Sequence, residues 1–194
     1  MHKGRLEAFS DGVIAIIITI MVLQLHVPHG EEWSDLAPLY PVFLSYVLSF
    51  IYLGGYWNNH HHMLQAAHQV NGAVLWANLN LLFWLSLTPF VTAWMGENHF
   101  AAQPVAAYGI DLLCCSVAYF ILERTLIAAQ GPESRLASAV GVEIKGIVST
   151  AAYVLGVLSA MFATPWIALA LYALVLVMWV VPDSRIEREL DRTR

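Results

Sequence analysis

A chain of 194 residues in which 59% are hydrophobic and only 12% charged, with a mean hydropathy of +0.63, cannot be a soluble globular domain. Its net charge of −5 arises from 9 basic and 14 acidic side chains and offers no basic patch for nucleic acid. The two cysteines, Cys114 and Cys115, are adjacent, cannot pair with each other without distortion, and read as small core thiols.

Crossing a hydrocarbon core of about 30 Å takes about 20 apolar residues. Such stretches can be placed at 6–27, 36–62, 72–95, 103–123, 142–162 and 164–182. The first is no cleavable leader, because Glu7 and Asp11 follow its basic flank and Gln24 to Pro28 lacks a small-residue cleavage site. Val27-Pro28-His29-Gly30 ends it, and Ser34 or Asp35 is placed to cap the second span before Leu36. Gly96-Glu97-Asn98-His99 separates the third and fourth spans, and Gln130-Gly131-Pro132-Glu133-Ser134 breaks the connection to the fifth. Thr164-Pro165 turns into the sixth span, which Pro182-Asp183 ends, leaving a short polar tail from about 183 to 194. The expectation is one all-α membrane domain over residues 1–194. With six spans every Lys and Arg falls on one side, so both termini are expected in the cytoplasm.

Arg5-Leu6-Glu7-Ala8-Phe9-Ser10-Asp11 sets an arginine, a hydroxyl and a carboxylate against the apolar run that starts at Gly12. A carboxylate that close to hydrocarbon is costly unless paired, so Asp11 should have a partner and a purpose. Ile16, Thr19, Ile20 and Leu23 share one helical face, although Ile14, Ile17, Ile18 and Val22 make the other faces equally apolar, and periodicity alone reads them as packing or lipid-facing residues. His60, His61 and His62 are consecutive; helical neighbours point about 100° apart, so they do not converge on one metal, although His61 and His68 would share a face if the helix continued. Asp111, inside the fourth span, is a functional candidate whose plainer reading is a hydrogen bond to Asn78, Asn80 or Thr88. The tryptophans read as interfacial anchors or core.

The pattern Arg5-x-x-x-Phe9-Ser10-Asp11 leading into Ile16, Thr19 and Leu23 resembles the transmembrane protein 175 family of potassium channels. Tyr56-Trp57-Asn58-Asn59-His60-His61, Asn80-Leu81-Leu82-Phe83 and Leu87-Thr88-Pro89-Phe90 are similar to it as well. The resemblance implies a homotetramer in a bacterial or archaeal cell membrane, with six transmembrane helices per subunit and a pore lined by the first helices at a four-fold axis. It implies Ile16 as the constriction, Thr19 as a hydroxyl layer, and Ile20 and Leu23 as further apolar pore positions. No re-entrant filter loop is needed, no cofactor or metal is implied beyond permeant potassium ions, and the partners are membrane lipid and copies of the same chain. A ring of branched side chains can stop ions by dewetting, and selectivity would be weaker than that of a carbonyl filter. The motif implies a structural lock of Arg5, Phe9, Ser10 and Asp11 with Trp57, His60 and His61; the rival role for Asp11 is to line the inner mouth and attract cations. Two other classes compete. A proton- or ion-coupled secondary transporter would use Asp11 and Asp111 and should show an inverted repeat, which is not visible. A diiron enzyme needs several separated histidine clusters, whereas His2, His26, His29 and His99 are scattered.

Overall fold

Long apolar runs separated by short polar breaks fold into an antiparallel series of helices in the computed structural model, which describes residues 3–131 and 144–180. Helix α1 (Lys3–Ile20) is continued by a 3-10 turn at Met21–Gln24, and a second 3-10 segment, Trp33–Leu39, leads into α2 (Tyr40–Ala66). Then come α3 (Gly72–Glu97), α4 (Ala102–Gln130), α5 (Ile144–Phe162) and α6 (Pro165–Val180). Counting the 3-10 extensions, 5 of these helices are long and apolar enough to cross a membrane, and α6 is a shorter apolar helix of 16 residues. The chain is a multi-pass membrane protein. The break at 132–134, Arg135, Glu143, the stop at Pro182-Asp183 and the polar tail lie outside the described residues.

Several boundaries differ from the sequence reading, α4 running on to Gln130 instead of ending near 123. The α-helix of the first span stops at Ile20 rather than near 27, and the last turn tightens to 3-10 before Leu25 turns extended at φ −80°, ψ 94°. The β-branched run Ile16 to Ile20 weakens the helix, and Pro28 disfavours helical backbone at Val27, which lies outside any helix. The second α-helix begins at Tyr40 rather than Leu36, with Pro41 in its first turn. Asp35 closes the preceding turn, its Oδ2 accepting from the Glu32 amide at 3.0 Å, rather than capping an α-helix. Finally, α2 ends at Ala66, so His68 is not on it and shares no face with His61; the His68 amide instead donates to Gln130 Oε1 at 3.2 Å.

Asn71 caps α3 by accepting from the Val74 amide at 3.0 Å. The turn after α3 places His99 and Phe100 in the left-handed region (φ 51° and 59°), where the Phe100 amide reaches back to the Met95 carbonyl at 3.0 Å. Successive helices pack on one another, α4 also touches α6, and α1 leans on α2 and α3 at the edge of the bundle. One apolar core (Leu53, Leu64, Leu81, Leu85, Leu122) joins α1 to α4, and a second, built on Tyr52, Tyr108, Tyr153 and Tyr172, joins α2 to α6.

Small residues set the closest approaches. A Cβ on Gly96 would lie 2.7 Å from the Val42 Cα, where only backbone movement could relieve it, whereas one on Gly54 would meet nothing within 4 Å. Gly96→Ala should therefore cost about 1–3 kcal/mol through overpacking. Gly54→Ala should be neutral or slightly stabilising. Thermal unfolding in detergent measures both, and equal melting temperatures would show that α2 and α3 are not in tight contact at Gly96.

Candidate pore helix and its anchor

Helix α1 has two unlike faces. Leu6, Ser10, Ile14, Ile17 and Met21 recur every three or four residues and are buried toward α2 and α3. Phe9, Ile16, Ile20 and Leu23 face out of the protomer with fractional exposures of 52%, 58%, 43% and 73%, and Thr19 is exposed among them. The Thr19 hydroxyl donates to its own helix, to the carbonyls of Ala15 (2.9 Å) or Ile16 (3.0 Å). Toward any other group it can act only as an acceptor. Leu23 sits in the 3-10 turn, so its direction is set by that tighter winding and not by the α-helical period of Ile16 and Ile20.

The buried face carries a directed hydrogen-bond chain. Ser10, His60 and Asn78 come from α1, α2 and α3 and are 0%, 1% and 0% exposed. The Asn78 amide nitrogen donates to Ser10 Oγ at 2.9 Å, and Ser10 in turn donates to the Leu6 carbonyl at 2.9 Å. The remaining Asn78 Oδ1, 2.8 Å from His60 Nε2, must then be an acceptor, which assigns the ring proton of His60 to Nε2. The chain runs His60 to Asn78 to Ser10 to Leu6, each link requiring the next.

A second set of contacts zips the partly exposed side of α1 to the end of α2. Lys3, Glu7 and Asp11 are spaced four apart, as are Gln65, His61 and Trp57 in reverse order on the antiparallel helix. Lys3 Nζ donates to the Gln65 carbonyl at 3.0 Å, His61 Nδ1 lies 3.3 Å from Glu7 Oε1, and Trp57 Nε1 donates to Asp11 Oδ1 at 3.0 Å. His61 stacks on Trp57 with ring centroids 6.1 Å apart and takes a further contact, 2.8 Å, from Gln65 Nε2. Asp11 thus has a neutral donor as its partner. Arg5 is exposed and makes no hydrogen bond or ion pair with the described residues. His62 turns its ring edge-on to His61, so the three histidines serve three different neighbours. Among the described residues no group of three or more His, Cys, Asp or Glu side chains converges on a point.

Asp111 belongs to a separate polar cluster deeper in the bundle. Its Oδ2 accepts from Thr88 Oγ1 at 2.9 Å, one of the three partners that the sequence offers. One turn away Ser49 bridges Thr92 (2.7 Å) and Tyr108 (3.0 Å).

Sequence reasoning paired Asn78 only with Asp111 and did not find it at the α1 anchor. Its signal is an amide, one of two with Asn80, in a leucine-rich helix, which needs partners but does not name them. Lys3, Glu7 and Gln65 were also missed, although the four-residue spacing of Lys3, Glu7 and Asp11 was visible.

Comparisons with known proteins identify the family. The family model described as the endosomal/lysosomal potassium channel TMEM175 matches residues 5–89, an interval that holds the Ser10, His60 and Asn78 chain and the exposed stripe of α1. A potassium channel of Chryseobacterium sp. is 55% identical over 98% of this chain and 98% of its own length. The chain belongs to the TMEM175 family. A potassium channel of Streptomyces collinus is 34% identical over 61% of each chain. The human endosomal/lysosomal proton channel TMEM175 is 30% identical over 54% of this chain, which spans 23% of that longer protein. A crystal structure of a lysosomal potassium-selective channel TMEM175 homolog from Chamaesiphon minutus covers 92% of this chain and 96% of its own with a TM-score of 0.80 at 23% identity, a shared fold. These relatives are channels and not enzymes, and the diiron reading falls with them.

Breaking the chain at its middle should be costly. Asn78→Ala leaves Ser10 and His60 without their partner, and an interhelical hydrogen bond of this kind is worth about 0.6–1.7 kcal/mol in a membrane. Adding His60→Ala to Asn78→Ala should lose much less than the two single losses combined, because they remove the same links. A double-mutant cycle of unfolding in detergent reads this, and strict additivity would mean that the three side chains do not act as one network.

Proposed function

We propose that this TMEM175 family member is a potassium channel assembled as a homotetramer, with the four α1 helices lining a central pore. The observation that carries the reading is the division of α1: a polar anchor holds one face to α2 and α3, while Phe9, Ile16, Thr19, Ile20 and Leu23 are left facing out of the protomer. A groove between α1 and α3, bounded by Ile16, Ile20, Pro89 and Phe90, supplies a surface on which a neighbouring copy would pack. Most of this outward surface is apolar, as a helix shared between a pore and a neighbour requires.

Ile16 is the proposed constriction, with Ile20 and Leu23 as further apolar layers. Four branched side chains around an axis exclude water when close together, and a small outward movement of the helices rewets the path. Discrimination then rests on dehydration, since potassium gives up its water more readily than sodium, and Thr19 supplies acceptor oxygens next to the constriction. The ladder of Lys3, Glu7 and Asp11 on α2 holds the end of each pore helix, and the Trp57 hydrogen bond to Asp11 favours a structural role over that of a cation attractor. Arg5 and Phe9, turned out of the protomer, are available to neighbouring subunits. The six helices form one domain over residues 1–194, both termini lie in the cytoplasm of a bacterial or archaeal cell, and potassium ions are the only ligand the mechanism needs.

Flux of potassium and sodium into liposomes tests this. Ile16→Asn should raise potassium flux several-fold and lower its preference over sodium. Identical flux from native and Ile16→Asn protein would move the pore elsewhere, and saturable flux driven by a proton gradient would restore the transporter.

A further inference from the structure

Between α2, α4, α5 and α6 lies a cavity of about 1090 Å³. Its walls come from the late parts of α2, α4 and α6 and the early part of α5, all at the end of the bundle that carries the N-terminus. The volume is at the upper end of the roughly 300–1,000 Å³ of small-molecule sites. The lining is mainly apolar, and Val117, Phe120, Ile147 and Leu155 on its margin are 44%, 45%, 67% and 57% exposed, so the space opens sideways at membrane depth.

Arg124, which lines this cavity at one end, is held there over an aromatic ring of the same wall. The Arg124 guanidinium lies 4.8 Å from the Phe120 centroid, and Lys145 Nζ lies 5.8 Å from the Trp179 centroid. Trp179 is itself fixed by donating to Ser149 Oγ at 2.8 Å. Glu123 Oε1 approaches Arg124 Nε at 3.7 Å, which orients the guanidinium and offsets part of its charge. An apolar space open to the bilayer, with a cation at the level of one headgroup layer, matches an amphiphile with an aliphatic tail and a negative head.

We propose that this cavity is a site for an anionic phospholipid from the leaflet on the N-terminal side, with an acyl chain between the helices and its phosphate against Arg124. Basic pockets between transmembrane helices bind acidic headgroups in this way, each cation near the surface favouring them about fivefold. The site is separate from the α1 stripe, and its occupancy does not depend on conduction.

Native mass spectrometry of the delipidated full-length protein, titrated with phosphatidylglycerol or phosphatidylcholine of identical acyl chains, tests the assignment. Phosphatidylglycerol should be retained at least about fivefold better. Arg124→Gln should remove most of that preference, and Arg124→Lys should keep it. Gly55 lines the cavity, and a Cβ there meets nothing within 4 Å, so Gly55→Leu fills space without a clash and should reduce adducts of both lipids alike. Equal retention of the two lipids by native protein would overturn the proposal. So would undiminished phosphatidylglycerol binding by Gly55→Leu, which would put the headgroup on the outer surface, or the lack of any adduct, which would mean that protein covers the cavity.

Discussion

The amide of Asn78, held between Ser10 and His60 where no water reaches, is the constraint on which the arrangement of α1 rests. In an apolar medium an amide without partners is costly, and rotating α1 by one residue would carry Ser10 about 100° away from it. The hydrogen-bond chain therefore sets the rotation of the helix and not merely its position. Apolar contacts could not do this, because isoleucine surrounds α1 on nearly every side and one face would pack about as well as another.

The polar contacts on α1 lie toward one end. Lys3, Glu7, Ser10 and Asp11 are all tied to α2 or α3, whereas from Ile14 onward the helix depends on packing and winds into a 3-10 turn after Ile20. The anchored end resists movement, and the other end is held by weaker, less directional contacts. For the proposed pore this places the constriction at Ile16 above a fixed base, so that small displacements of the upper helix can alter its width while the subunits stay joined.

The second polar cluster works on another part of the bundle. Thr88 with Asp111, and Ser49 with Thr92 and Tyr108, connect α2, α3 and α4 at a depth where apolar packing alone would leave their register loose. Tyr172 continues the connection to α6, accepting at its carbonyl from the Tyr52 hydroxyl and packing against Gly109 and Gly156. α2 thus binds α1 with one end and the rest of the bundle with its middle, which ties the two together.

Much of this protein was legible in its sequence. Hydropathy and breakers set six helices and some of their ends, because in lipid a single spanning segment satisfies its own backbone hydrogen bonds only as a helix. Asp11 close to hydrocarbon demanded a partner, and Thr88 was one of the three partners offered for Asp111. What only the tertiary structure decided was which residues meet. Asn78 lies 68 residues from Ser10 in the chain, so its place in the anchor could not follow from spacing. Likewise Ile16 was indistinguishable by composition from Ile14 and Ile17, and only the contact of α1 with two neighbours buried those and left it exposed. Hydrophobicity is non-directional and can be read residue by residue, whereas hydrogen bonds are directional and assign a face only when both partners are in place.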